Sequence, residues 1–195
     1  SILVGQPGFV SSPDARTLRV HARPHPGDPL TARLAVGAPL GLLGIDLETR
    51  RRNRMNGLVV DAGADAFSVQ VQQSFGNCPK YIQARTPRWV VESETCGAPC
   101  PMRREGRAIS ADACALVRRA DTFFIATATP DAPPGSDAPT AGGSAAHGVD
   151  VSHRGGRPGF VRVTGGTSGT ILTVPDFVGN YLFNTVRPAA YKLTA

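Results

Sequence analysis

Short aliphatic runs separated by turn-forming residues dominate the first 85 positions of the chain. The clearest run, Phe-Ser-Val-Gln-Val-Gln at 67–72, alternates apolar and polar residues, as expected for a strand with one buried face. This run belongs to a strand predicted at 66–72. A hairpin turn at 61–65 is predicted to connect it to another strand at 56–60. Further strands are predicted at residues 1–5, 17–22 and 40–46. Strands at this spacing are typical of a small antiparallel barrel or sandwich.

Helical signals are few. Residues 25–30 predict a short helix, with Asp28 as its cap and Pro29 in the first helical position. Ser110 is predicted to cap a second helix that runs to residue 121, with Asp112 near the positive end of its dipole. Beyond it, strands are predicted at 122–128, 148–153, 159–163 and 171–174. The intervening stretch 129–147 is a low-complexity loop of Pro, Ala, Gly, Ser and Asp.

Composition narrows the class of protein. The net charge is +6 and is carried by arginine, since lysine occurs only at Lys80 and Lys192. The arginines are scattered and aromatic residues make up 6% of the chain, which argues against a nucleic-acid partner. The chain has no apolar run long enough for a membrane span, and residues 1–5 lack the basic region and long apolar stretch of a signal peptide. We therefore expect a cytoplasmic protein with reduced cysteines. It begins without Met, and we expect a fragment of a longer protein.

Two clusters in the N-terminal half carry candidate chemistry. In an extended segment, the alternate side chains of Arg50, Arg52 and Arg54 would share one face, and their mutual repulsion favours a bound anion. The alternative is a solvated edge strand that charge protects from aggregation. The second cluster, 73–83, gathers Asn77, Lys80 and Tyr81 and could bind a polar heterocycle. It could equally be an ordinary turn.

A third cluster lies at 150–163. Ser152, His153 and Asp150 are nearly adjacent in one predicted strand, so their side chains diverge and a hydrolase triad is excluded. Arg154 and Arg157 flank Gly155-Gly156 and suit an anion at a tight turn. Further on, Asn180, Asn184 and Thr185 would share one face of a helix, if that stretch is helical, and could cradle a phosphate.

The same segments resemble a known family. The runs Asp-Val-Ser-His-Arg-Gly-Gly-Arg-Pro-Gly-Phe-Val-Arg-Val (150–163), Leu-Thr-Val-Pro-Asp-Phe-Val-Gly-Asn (172–180) and Phe-Asn-Thr (183–185) are similar to the pyridoxamine 5'-phosphate oxidase-related flavin-binding proteins. So are residues 1–10, 49–57 and 74–83. These motifs and the strands between them cover most of the chain outside 86–110 and 129–147.

The resemblance implies a mainly β fold, a six-stranded antiparallel FMN-binding split barrel of Greek-key type, with a second barrel that is incomplete. The domains would be a first barrel unit at 1–85 that lacks its first strand, a linker with a short helix at 86–121, and the start of a second barrel at 122–195. FMN would bind at a seam between barrels, formed by a homodimer or by an intrachain barrel pair.

The resemblance also implies a flavoprotein, an oxidoreductase for which a redox partner protein is one candidate electron donor. No membrane partner and no metal ligand are expected. The FMN-binding residues would be Arg52, Arg54, Asn77, Lys80, Tyr81, Ser152, His153, Arg157, Asn180, Asn184 and Thr185. Two alternatives stay open. One is a non-catalytic dimerisation or binding module that has lost flavin, and the other is a flavin-independent, metal-assisted hydrolase on the same fold.

Overall fold

The computed structural model describes residues 1–25, 27–76, 79–88, 103–128, 149–166 and 169–178. The predicted mainly β, barrel-like fold is confirmed, since 43% of the described residues lie in strands and one short helix accompanies them. The elements are β1 Val10–Ser11, β2 Thr17–Val20, β3 Pro39–Asp46, β4 Arg51–Ala62, β5 Phe67–Gly76, α1 Ala111–Arg119, β6 Thr122–Ala128, β7 Val149–Gly155, β8 Arg162–Gly166 and β9 Gly169–Thr173.

The largest assembly is a curled antiparallel sheet of five strands, a half-barrel in the order β1-β2-β5-β4-β3. The predicted hairpin is its centre, because β4 and β5 pair from Ala62 opposite Phe67 onward. Two register shifts interrupt the pairing, and the first follows Asn56. Gly57 lies at that bulge, where any Cβ would overlap the backbone oxygen of Gln70. Only glycine therefore allows the two backbones to approach so closely.

The core of this sheet lies on one face of β2 and β5. Val20, Phe67 and Val69 are buried together, with Leu18 and Leu42 among the apolar side chains packed against them. The alternation predicted for β5 accordingly places Phe67 and Val69 inward. It is incomplete at the strand's start, where the intervening Ser68 is also buried.

Three predicted elements are wrong. Residues 1–5 form no strand, and the two-residue β1 pairs with β2 instead. Residues 27–30 form turns in place of a helix, because Gly27 has a left-handed backbone angle (φ 85°), although Asp28 Oδ1 does accept from Leu30 N at 2.7 Å. The strand predicted at 159–163 begins only at Arg162, since a turn with Gly159 at φ 86° precedes it.

The helix predicted after Ser110 is confirmed. Ser110 Oγ accepts a hydrogen bond from Ala113 N at 3.2 Å, and Asp112 lies in the first turn of α1. Glu105 supports the cap, because its carboxylate accepts from the backbone N and the hydroxyl of Ser110 at 2.7 and 2.9 Å. Within the described chain, no helix has the length and apolar character that crossing a membrane requires.

The chain divides into two compact units, each made of three segments. Unit 1 comprises Ser1–Gly44, Asn53–Gly76 and Ala126–Ser152, and it contains most of the five-stranded sheet. Unit 2 comprises Ile45–Arg52, Asn77–Ile125 and His153–Ala195. It contains α1 and the β8–β9 hairpin, in which Thr170 N donates to Arg107 O at 2.8 Å. The domain boundaries predicted from the sequence stay a prediction.

Candidate functional site

A recess in unit 2 gathers cationic and aromatic side chains. Its cations are Arg52, Lys80 and Arg154, and its aromatic members are Tyr81, Phe160 and Phe177. Asp176 is the carboxylate among the lining residues, so positive charge prevails and favours an anionic group. The volume inside the recess that a water-sized molecule can occupy is about 30 Å³. The total empty space of the recess and its mouth, including open solvent, is about 370 Å³.

Strand β4 delivers Arg52 to this recess. Its side chains alternate, so Arg52 and Arg54 are buried while Arg51 and Asn53 are exposed. The prediction that Arg50 shares their face is wrong. Arg50 lies exposed in the turn before β4, with a left-handed backbone angle (φ 57°) that breaks the alternation.

His153 has the most deeply buried side chain of the residues that line the recess, with 2% of the residue's surface exposed. Arg52 Nη1 lies 2.8 Å from His153 Nδ1 and 3.4 Å from the carbonyl oxygen of the same residue. The ring of Phe124 packs edge-on against the imidazole, with 5.5 Å between centroids. Burial, together with the positive charges of Arg52 and Arg154, lowers the pKa of His153 from 6.5 to about 4. His153 is therefore neutral at pH 7.

Tyr81 forms one aromatic wall in a backbone conformation that side chains seldom adopt (φ 66°). Its hydroxyl donates to Val178 O at 2.9 Å, and its ring stacks on Phe177 with 5.1 Å between centroids. Such a conformation costs of the order of 1–3 kcal/mol and persists where its surroundings enforce it, often at a functional site.

Gly155, at the end of β7, permits that arrangement. A Cβ at this position would overlap the backbone carbonyl oxygen of Tyr81 and approach His153 Cε1 to 3.1 Å. The two backbones are thus in direct contact, and Gln83 Nε2 strengthens the contact by donating to Gly156 O at 2.8 Å. The glycine pair between Arg154 and Arg157 consequently shapes the wall of the recess.

Four of the predicted FMN-binding residues come together here, namely Arg52, Lys80, Tyr81 and His153, and Arg154, which the sequence suggested for an anion site, joins them. Three others do not line the recess. Arg157 is exposed in unit 2, and Ser152 is fully buried in unit 1. Arg54, also in unit 1, forms a buried ion pair with Asp150.

Asn77, Asn180, Asn184 and Thr185 lie outside the described residues, as do Cys78, Cys96, Cys100 and the loop 129–147. Cys114 is a half-buried free thiol. In the described part of the chain, no group of three or more His, Cys, Asp or Glu side chains is placed to hold a metal ion.

Sequence reasoning missed Phe160 and Phe177 as members of the recess and gave Gly155 no role in it. Both phenylalanines stand inside the motifs quoted above, beside Gly159 and Asp176. An aromatic residue in an otherwise aromatic-poor chain is the signal that could have found them. The role of Gly155 depends on a backbone contact with Tyr81, 74 positions away in the sequence, and no local pattern reveals it.

Comparison with known proteins identifies no relative. The chain has no significant match among protein-family models, curated proteins or solved structures.

Proposed function

We propose that this protein is an FMN-binding flavoprotein and an oxidoreductase of the pyridoxamine 5'-phosphate oxidase-like type. The observation that carries the proposal is the meeting of Arg52, Lys80, Tyr81 and His153 in one electropositive recess. These residues come from three of the motifs on which the resemblance depends, at 49–57, 74–83 and 150–163. Their convergence supports a common ligand, because separate structural roles would not require them to meet.

The chemistry of the recess fits the groups that FMN offers. Arg52, Lys80 and Arg154 supply positive charge for a phosphate or for the electron-rich edge of the ring. The stacked pair Tyr81 and Phe177 supplies aromatic surface for a flat heterocycle. With about 30 Å³ inside the recess, a phosphate oxygen or a ring edge would enter, and the rest of the cofactor would lie outside it.

When bound, FMN would supply the redox chemistry, and the protein would supply binding, orientation and electrostatics. The cations would attract and hold the anionic end of the cofactor. His153, neutral at pH 7, would act as a hydrogen-bonding group, because its lowered pKa of about 4 leaves too little imidazolium for a general acid. We further propose a cytoplasmic setting, a homodimer or intrachain barrel pair, and a redox partner protein as one candidate electron donor.

A second candidate is a non-catalytic binding module. The small volume inside the recess favours it, since ligand sites usually measure about 300–1,000 Å³ and enclose most of their ligand. Such a module would dimerise without taking up flavin. The hydrolase alternative stays a hypothesis.

Charge variants test the proposal. FMN fluorescence should be quenched on binding, and the double variant Lys80→Ala/Arg154→Ala should weaken the affinity about a hundredfold or more, since each of the two charge-assisted contacts contributes about 1.5–3 kcal/mol. The control Arg16→Ala/Arg33→Ala removes the same net charge from exposed positions of unit 1 and should leave the affinity within about twofold. If both double variants lost FMN affinity equally, the effect would come from net charge alone and would contradict a specific site in the recess.

A further inference from the structure

The two ring nitrogens of His153 have different surroundings. Nδ1 lies 2.8 Å from Arg52 Nη1, whereas Nε2 is buried and has no hydrogen-bond partner among the described residues. A guanidinium can only donate, and it stays protonated at any physiological pH. Nδ1 must therefore present its lone pair to Arg52, and the single proton of the neutral imidazole must reside on Nε2.

The other charged groups around His153 favour the same state. Arg154, its neighbour in β7, and Arg85 add positive charge, and Asp121 is the nearby acid that opposes them. Asp121 is itself engaged, because Arg85 Nη2 donates to both of its carboxylate oxygens at 2.6 Å. A second proton on the imidazole would lie on Nδ1 and point directly at the Arg52 guanidinium. The positively charged ring would also lie among neighbours that are positive on balance. The neutral ring with its proton on Nε2 is thus strongly preferred.

An unsatisfied buried donor is costly. A buried N–H without an acceptor is destabilising, because it has given up its hydrogen bonds to water and gained none in the protein. The Nε2–H of His153 is such a donor within the described chain, in a side chain that lines a recess with three cations. An oxygen that carries negative charge would satisfy the donor and the cations together, whereas a donor group or a cation would meet repulsion.

We propose that His153 donates a hydrogen bond from Nε2 to an acceptor oxygen of the ligand in the recess, and that Arg52 is the positioning residue that fixes this tautomer. The oxygen is an anionic phosphate oxygen of FMN or a carbonyl oxygen of its pyrimidine edge, which carries partial negative charge. The inference depends on the proposed function only in naming FMN as the source. The recess thereby selects acceptors, since a site built around a fixed donor rejects ligands that leave the donor unpaired.

The tautomer can be measured without any ligand. In ¹⁵N NMR spectra of the whole protein at pH 7, His153 should show an unprotonated Nδ1 and a protonated Nε2. Arg52→Gln should shift the ring toward a mixture of tautomers, whereas Arg52→Lys, which keeps a charged donor, should preserve Nε2–H. A wild-type ring protonated on Nδ1, or on both nitrogens, would overturn the proposal.

Ligand titrations test the contact itself. His153→Phe should weaken FMN binding about tenfold to a hundredfold, the equivalent of one hydrogen bond to a charged group. His153→Gln places an amide N–H near the position of Nε2 and should recover most of the loss. Riboflavin, which lacks the phosphate, identifies the source of the oxygen. A loss for FMN alone assigns the phosphate, and equal losses for both ligands assign the ring edge.

Failure of the proposed function is distinguishable from failure of this inference. If the wild-type protein binds no FMN, inorganic phosphate is added while the ¹⁵N signal of His153 Nε2 is recorded. A saturable shift of this signal, with a weaker phosphate affinity in Lys80→Ala, would support an anion bound to the Nε2 donor without any flavin. No shift with phosphate, or unchanged FMN affinity in a folded His153→Phe variant, would refute the contact.

Discussion

Replacement of Asp150 by Asn perturbs a deeply buried charge pair of unit 1. Arg54 and Asp150 are hydrogen-bonded, and their side chains are only 1% and 7% exposed. Phe75 stacks on the guanidinium, 5.4 Å from its carbon to the ring centroid. Asn matches Asp in shape, so the substitution removes the negative charge without a cavity and leaves Arg54 as a buried cation that has lost its counter-charge.

The expected cost follows from this burial. A buried pair that loses one partner typically destabilises a protein by about 3–5 kcal/mol, because the remaining charge can regain neither water nor its counter-ion. In a chain of this length, each kcal/mol corresponds to about 2–4 °C in the melting temperature. Asp150→Asn should therefore lower the midpoint of thermal unfolding by roughly 6–20 °C.

The matched control lies in the same unit. Arg19 and Asp61 form an Arg–Asp pair at 3.3 Å, but their side chains are 41% and 52% exposed. Asp61→Asn should cost less than about 1 kcal/mol, since solvent screens the exposed pair. Urea and thermal unfolding, followed by circular dichroism, would compare the two variants. If the variants differed by less than about 1 kcal/mol, the reasoning on burial would be refuted.

Three further predictions concern unit 2. Gly155→Ala should abolish FMN binding, because the added Cβ would displace Tyr81. The control Gly44→Ala, whose Cβ meets nothing within 4 Å, should bind FMN normally. Equal FMN affinities of the two variants in titrations would contradict the backbone contact between Gly155 and Tyr81. Because His153 binds its proton near pH 4 when folded and near 6.5 when unfolded, the free energy of unfolding should fall by about 3 kcal/mol as the pH drops through that window. In urea titrations, the His153→Gln variant should not show this pH-dependent loss of stability. If the variant still showed it, the loss would come from another titrating group. Ser110→Ala should destabilise α1 by about 0.5–2 kcal/mol in urea unfolding, and no change would show that the cap contributes nothing.

Local patterns predicted the elements that depend on local interactions. The hairpin around residues 61–65 and the helix after Ser110 formed as expected, because turn chemistry and capping act over a few residues. The strand expected at 1–5 did not form, since strand formation requires a partner that the local sequence cannot specify. Gly27 and Gly159 ended or displaced other elements through left-handed backbone angles that propensity alone does not reveal.

The candidate site was less accessible to sequence reasoning. Arg52 and His153 are 101 positions apart, and their contact depends on how β4 and β7 meet in the fold. The resemblance indicated both residues, but neither their pairing nor the tautomer it imposes. Arg54, two positions from Arg52 on the same face of β4, was expected at the ligand. Its charge is balanced within the protein by Asp150.

The recess of Arg52, Lys80, Tyr81 and His153 is the proposed FMN site. Its most direct test is an equilibrium titration of FMN with the wild-type protein, followed by flavin fluorescence and absorbance. We expect saturable binding of one FMN per recess, with a dissociation constant in the micromolar range or below and a perturbed flavin spectrum. An unchanged spectrum with no saturable binding at high micromolar concentration would contradict it.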